Sequence, residues 1–308
     1  MPLAHAHKKQ LLKGAPKVAP VVSVLIPTHN RAQLLGSAIR SVLAQTYRWL
    51  EIVVVDDGSD DETRDVIRRF EDSRIRYIRH DSSRGGAAAR NSGIEAATGE
   101  YIAFLDDDDE WEPNKTEIQL EVLASCDVVL CMSTSSAEQD VRELEEISVC
   151  NLEQLRRGMP RIGAGVSAIM GRADVFKSVL FDERLPRCQD WDLLIRLAMQ
   201  YRVQYLGKRL VRYNDGQHNR ISNALAKSNE QSQTESAEKW LHFFNKHRTF
   251  FGERLYRRHV INALLYGIRD RSDKIKYLHE MAARMGYIPV VMALMQRLYS
   301  NIVSIGSR

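Results

Sequence analysis

The sequence predicts an α/β protein: a doubly wound, mostly parallel sheet with helices on both faces, followed by a helical C-terminal extension. Three observations carry this. Short β-branched runs alternate with helical stretches from Val21 to about Met132. Those runs are apolar at successive positions, the mark of strands buried on both faces. From about Glu235 the chain keeps helical spacing to its end, with seven aromatic residues from Trp240 to Tyr266.

The elements follow in order. Residues 1–20 read as a flexible basic arm ending in Pro20. Val21 to Ile26 is the first strand. Asn30 suits the N-cap of the next helix, whose apolar positions Leu34, Leu35, Ala38, Ile39, Val42 and Leu43 recur at helical spacing. Ile52 to Val55 is a second strand, ending in Asp56-Asp57-Gly58-Ser59. Asp60 or Asp61 can cap the helix carrying Val66, Ile67 and Phe70. Ile75 to Ile78 is a third strand, and Ala87 to Ala97 a small-residue helix stopped at Thr98-Gly99. Tyr101 to Leu105 is a fourth strand, running into Asp106-Asp107-Asp108-Asp109. Pro113 suits the first turn of another helix, and Asp127 to Met132 reads as a fifth strand. Residues 133–165 are mixed in pattern. Asp190 to Gln200 is a helix with Leu193, Leu194, Leu197 and Ala198 at core spacing, and Val203 to Tyr213 is strand-rich.

Composition bounds the function. Of 308 residues, 44% are hydrophobic and 27% charged, which excludes a disordered chain or a fibre. No apolar run reaches the roughly 18 residues of a spanning helix. The longest candidate, Ile288 to Leu298, is broken by Gln296 and Arg297. His5, His7, Lys8 and Lys9 are followed by no apolar stretch, so no signal peptide is expected. Four cysteines without a CxxC pair fit a reducing cytoplasm. Net charge is +4, yet the residues from Glu235 carry 13 Lys and Arg against 6 Asp and Glu. A basic tail after a slightly acidic body suggests a separate role for it, with a membrane surface or a phosphorylated substrate as anionic partners.

In doubly wound sheets, ligands bind outside the carboxyl ends of the strands. Three polar clusters sit at such ends here: Pro27-Thr28-His29-Asn30-Arg31, Asp56-Asp57 and Asp106 to Asp109. Adjacent carboxylates repel unless a cation lies among them, and hard oxygens suit Mg²⁺ or Mn²⁺. Two residues apart on an extended chain, Asp106 and Asp108 point the same way. Asp57 can accept a hydrogen bond from a nucleoside; His29 offers a stacking ring, Arg31 a phosphate-binding fork, and Gly86 close backbone approach. Each segment alone also fits an ordinary turn or helix cap. The Arg84 to Asn91 stretch is neither GxGxxG nor a P-loop, so dinucleotide and Walker-type sites find no support.

Taken together, Val22-Ser-Val-Leu-Ile-Pro-Thr-His-Asn-Arg, Val55-Asp-Asp-Gly-Ser, Arg84-Gly-Gly-Ala-Ala-Ala-Arg-Asn and Gly99-Glu-Tyr-Ile-Ala-Phe-Leu-Asp-Asp-Asp-Asp closely resemble family 2 glycosyltransferases, over about residues 21–130 and more loosely to about 225. The resemblance implies the GT-A fold. It implies an inverting, metal-dependent transfer from a nucleotide-diphosphosugar, UDP-linked before GDP or TDP, to a glycan or lipid-linked acceptor in surface polysaccharide synthesis. It divides the chain into a nucleotide-sugar half at 21–130, an acceptor half at 131–234 and an extension at 235–308. By matching positions, Pro27, His29 and Asp57 line the nucleoside site, Asp57 meeting the base. Asp106 and Asp108 fall on the DxD motif, with Asp108 the direct metal ligand and Asp106 and Asp107 at ribose or metal-bound water.

An acceptor hydroxyl attacks well only as its proton is accepted. The resemblance puts that base at Asp190. Gln189 stands where the family has Glu, and Trp191 offers a face to the acceptor. Asp190 equally suits a helix cap. His218 and Arg220 resemble a segment that closes over the diphosphate, and read equally as surface loop. No QxxRW follows Asp190, so single addition is expected rather than processive synthesis. Two other readings stay open. One is a catalytically silent nucleotide-sugar binder on the same fold. The other is a sugar nucleotidyltransferase, although Pro27-Thr-His-Asn-Arg stands where those enzymes carry a Gly- and Lys/Arg-rich loop. For the tail, the choice is a helical pair packed on the catalytic domain, or a basic, aromatic surface on anionic lipid that places the protein at the inner face of the membrane.

Overall fold

A computed structural model describes residues 19–135, 147–149, 165–214, 239–266, 273–287, 290–291 and 293–294. These fall into two compact units. The first takes the described residues up to 149, with 165–181 and 200–214; the second takes 182–199 and those from 239 onward.

The first unit is the sheet with its helices. In chain order it contains β1 (Val22–Thr28), α1 (Ala32–Leu43), β2 (Leu50–Asp56), α2 (Thr63–Arg68), β3 (Ile75–Arg79), α3 (Gly86–Ala96), β4 (Tyr101–Phe104), β5 (Asp109–Trp111), α4 (Lys115–Leu123), β6 (Val128–Ser135), β7 (Ile147–Val149), β8 (Ile169–Arg172) and α5 (Ala173–Ser178). After α6 (Gln189–Gln200), whose body lies in the second unit, β9 (Val203–Tyr213) returns to the sheet. Strand order is β3-β2-β1-β4-β8-β6-β9-β5, with β7 on β9.

The strands β3, β2, β1 and β4 are all parallel, as the βα alternation predicts. Beyond β4 the sheet is mixed: β8 runs antiparallel to β4 and β6, β9 parallel to β6, and β5 antiparallel to β9. Sequence reading missed β5. It begins too soon after Phe104 for the dozen-residue crossover a parallel neighbour needs, so it pairs at the far edge.

Helices cover both faces. Val22, Val24 and Ile26 share one core with Ile52 and Val54 of β2, Leu35, Ile39 and Val42 of α1, and Val122 and Leu123 of α4. On the other face, Leu25 packs against α3 so closely that a Cβ at Gly93 would sit 3.3 Å from its Cδ1. Phe104 meets Phe176 and Phe181 edge-on at 5.0 and 5.4 Å between centroids.

Asn30 does not cap α1. It adopts φ 53°, and its side-chain carbonyl accepts from Asp60 N–H at 2.7 Å. Asp61 does the capping: one carboxylate oxygen accepts from Ala32 N–H at 2.9 Å and the other from Thr63 N–H at 3.1 Å. A single carboxylate thus serves the first turns of α1 and α2 and ties two strand-end loops together. Gly58 holds the next loop close, at φ +74°, where a Cβ would lie 2.8 Å from the backbone of Ser82 and Ser83. Gly58→Ala should therefore destabilise the fold by about 1–3 kcal/mol, read as a lower Tm in thermal unfolding.

In the second unit, residues 239–246 are helical, followed by α7 (Arg248–Tyr266), kinked at Gly252, and α8 (Lys274–Met285). Ile261 and Leu265 of α7 pack on Met281 and Ala282 of α8. Phe243, Phe244, Phe250 and Phe251 are all buried and pack on one another. The phenylalanines that suggested a lipid-facing surface are therefore core. Lipid contact through this extension would rest on exposed bases such as Arg254 and Arg258. Among the described residues, no helix is long and apolar enough to cross a membrane.

Candidate active site

Strand register builds the acidic part of the site. Thr28 lies beside Asp56, and Leu25 beside Phe104, so the chain leaving β4 passes the end of β1. There it turns, with Asp109 N–H donating to the Asp106 carbonyl at 3.1 Å. Asp106 and Asp108 are therefore brought together by a turn instead of an extended strand. Asp106, Asp108 and Asp109 each offer a carboxylate oxygen, and these lie within 4.8 Å of one another.

Asp107 points elsewhere. It is buried, accepting from Thr28 Oγ1 at 2.7 Å and from Arg31 Nη1 at 2.9 Å. Burial pushes its carboxyl up to about 6, against the opposing pull of Arg31 and Thr28. The expected ribose or water contact at Asp107 thus meets a side chain spent on holding the turn. Arg31 also reaches Asp108 at 3.1 Å. Its guanidinium is partly buried, which disfavours its charge, but the facing carboxylates outweigh this and raise its pKa. The phosphate-binding fork expected of Arg31 is turned onto the acidic turn. Arg90, in α3, donates to Asp106 at 2.6 Å. Ser167 donates to Asp109 at 2.7 Å, and its oxygen accepts from Asp106 N–H at 3.0 Å. Among the described residues, Arg31 and Arg90 are the guanidiniums that face this turn. Three hard anionic oxygens beside it fit a divalent cation.

Asp57 stands at the end of β2 with its oxygens turned onto the loop after β3. It accepts from His80 Nδ1 and Ser83 Oγ, each at 2.7 Å, from Arg84 N–H at 2.9 Å and from Gly85 N–H at 2.7 Å. Burial favours its neutral form, but these donors outweigh burial and hold the carboxyl below its ordinary value. That stabilisation is complete at neutral pH and is lost only as pH falls below about 4. The base contact expected of Asp57 would have to share oxygens already engaged. His29 is exposed and its Nδ1–H donates to the Asp57 carbonyl at 2.8 Å, which orients the ring; Pro27 is half-buried. Gly86 opens α3, after Gly85 at φ 93° and with no side-chain cap.

The remaining candidates belong to the second unit. Cys188, at φ 58°, precedes α6, and its carbonyl accepts from Asp192 N–H at 2.9 Å. Asp190 is half-buried on the first turn, where Oδ1 accepts from Trp191 N–H at 2.9 Å. Gln189 donates back to the Leu185 carbonyl at 2.8 Å, and Trp191 is half-buried. His218 and Arg220 lie outside the described residues.

The sequence reading gave no individual role to Asp109 or Thr28, although both stood in clusters it named, and it assigned none to Arg90, His80 or Ser167. Asp109 stood in the acidic run itself. His80 follows β3 at the same sheet edge, so the strand-end rule could have found it. Arg90 sits one turn into a helix read as packing, and nothing local marks Ser167.

The sequence pattern of glycosyl transferase family 2 matches residues 23–180. The chain is 30% identical over 267 residues to WcaA of Escherichia coli K12, described as a colanic acid biosynthesis glycosyl transferase, covering 82% of this chain and 89% of WcaA. It is 42% identical over 103 residues to E. coli WfgD, a UDP-Glc:α-D-GlcNAc-diphosphoundecaprenol β-1,3-glucosyltransferase. That match covers 33% of this chain and 41% of WfgD, so only part of WfgD's length is spanned. Among solved structures, S. aureus TarS 1–349 in complex with UDP-GlcNAc aligns with TM-score 0.63 at 17% identity, over 91% of this chain and 92% of that one. The mannosyltransferase PcManGT from Pyrobaculum calidifontis, with GDP-Man and Mn²⁺, aligns with TM-score 0.58 at 19% identity, over 97% and 87%. At these identities the likeness is one of fold.

Proposed function

This chain belongs to glycosyl transferase family 2, and we propose that within it the protein is an inverting enzyme moving a sugar from a UDP-linked donor to a lipid-linked glycan in surface polysaccharide synthesis. The observation that carries the reading is the meeting of Asp106, Asp108 and Asp109 at the carboxyl ends of parallel strands, the same sheet edge from which His29 and Asp57 follow β1 and β2. The relatives' names support the acceptor class: WfgD acts on a diphosphoundecaprenol-linked sugar and WcaA is named for colanic acid. WfgD's donor is UDP-Glc, and the TarS complex holds UDP-GlcNAc, which supports uridine.

His29 would stack on the base, with Pro27 beside it. Asp57 positions Ser83 to Gly85, and through them the uncapped start of α3 at Gly86. Asp106, Asp108 and Asp109 would hold Mn²⁺ or Mg²⁺, which supplies neutralisation of the charge that develops on the leaving diphosphate. Arg31 holds Asp108, Arg90 holds Asp106 and Ser167 holds Asp109 in place. Asp190 accepts the proton of the acceptor hydroxyl as its oxygen bonds to the anomeric carbon; the bond to the diphosphate breaks and its electron pair leaves with UDP. Trp191 gives the acceptor an apolar face.

UDP release from a panel of UDP-, GDP- and TDP-sugars, with Mn²⁺ and a polyprenyl-diphosphate-linked sugar, tests this. Acceptor-dependent release from a UDP-sugar is expected. Release from none of the donors would overturn the reading. Asp57→Asn supplies a sharper check on the loop. It turns one carboxylate oxygen into an amide that faces N–H donors. The donor KM should rise tenfold or more, about the worth of a charged hydrogen bond, with kcat less affected.

A further inference from the structure

Asp192 lies on the first turn of α6, two residues after Asp190, and its side chain is wholly buried. One oxygen accepts from Arg196, at 2.8 Å from Nε and 2.6 Å from Nη2. The other accepts from His247 Nε2 at 2.8 Å and pairs with Lys246 Nζ. Lys246 also bridges to Asp182 at 2.7 Å, which leaves it spanning the chain before α6 and the first turn of α6 itself. Burial disfavours the Asp192 charge, but His247, Lys246 and Arg196 together outweigh it and hold its carboxyl low. His247 is buried, with its ring on Phe243 at 5.0 Å. A stability role alone is a weak account of such a cluster, because buried ion pairs often do no better than apolar packing.

We infer that Lys246 and His247 are positioning residues for catalysis, and that the C-terminal extension works by locking the roll of α6 through Asp192. The inference rests on Asp190 as the base. Residues two apart on an α-helix are about 200° apart around its axis, so Asp190 and Asp192 face nearly opposite ways. A clamp on Asp192 therefore sets the direction of Asp190. With a carboxylate about 5 Å from the axis, a roll of about 12° moves it by about 1 Å. Misplacement on that scale can cost on the order of 100-fold in rate. Lys246 is exposed at its surface side, so changing it need not unfold the unit.

The experiment compares Lys246→Met, His247→Gln and their double variant with native protein, each rate normalised to the folded fraction from thermal unfolding. The double variant should lose tenfold or more in kcat while donor KM stays within twofold, and Lys246→Arg should keep most of native kcat. A role in stability alone would lower Tm and leave the normalised kcat within twofold, and that result overturns the inference. Asp190→Asn is run alongside. If it retains native turnover, the base assignment itself falls and takes the clamp with it. If it loses turnover while the clamp variants keep theirs, only the clamp is refuted.

Discussion

Asp108→Asn should lower acceptor-dependent turnover by about 10³-fold at saturating Mn²⁺, with little change in Tm. The substitution keeps the shape of a buried side chain that accepts from Arg31 and removes its charge. Of the three converging carboxylates, Asp108 is the one tied to the Arg31 that also holds Asp107. Losing one such anion from a water-poor site costs on the order of 3–4 kcal/mol of transition-state stabilisation. The same change at Asp107 is the control. That carboxyl faces Thr28 and Arg31, and its neutral form is already favoured by burial. Asp107→Asn should cost at most about a tenth as much in turnover. Equal losses at the two positions would mean that the turn is only a structural unit. The measurement is UDP release with and without acceptor, beside thermal unfolding of each variant.

Asp190→Asn should lower transfer by about 10²–10⁴-fold, the range for a missing general base. Donor affinity should stay within twofold. Asparagine is as good as aspartate at a helix start and can still accept from Trp191 N–H, so α6 keeps its first turn. Loss of kcat with unchanged donor binding separates a base from a cap. Loss of both would point to a collapsed helix end, and loss of neither would remove Asp190 from the mechanism.

The parallel half of the fold was legible because its signal is local. β1 and β2 are runs of β-branched residues buried on both faces, and the helices between them carry a clear apolar stripe or small residues. The acidic turn was legible for the same reason: four adjacent aspartates at a strand end repel one another and call for positive charge among them. Their individual roles were not. Which carboxylate turns inward depends on Thr28 and Arg31, more than 70 positions away, and on the turn that replaces the expected extended geometry. Asp57 shows the same limit. A strand-end carboxylate reads as a free acceptor until the loop after β3, 23 to 28 residues on, brings five hydrogen bonds to it. Capping of α1 failed likewise, since Asp61 reaches it from the next loop and a local rule prefers Asn30. The C-terminal phenylalanines were ambiguous in sequence because aromatic residues beside basic ones suit a lipid surface and a small core equally. Packing decides between the two, and here it buries them.

The most direct measurement is calorimetric titration of UDP into native protein and Asp108→Asn, each with and without Mn²⁺. The native protein should bind UDP measurably only with the metal, and the variant should lose that metal-dependent binding while unfolding at nearly the same temperature. Native protein that binds neither UDP nor GDP in the presence of Mn²⁺, or a variant that binds UDP with the same metal dependence as native, would contradict the account.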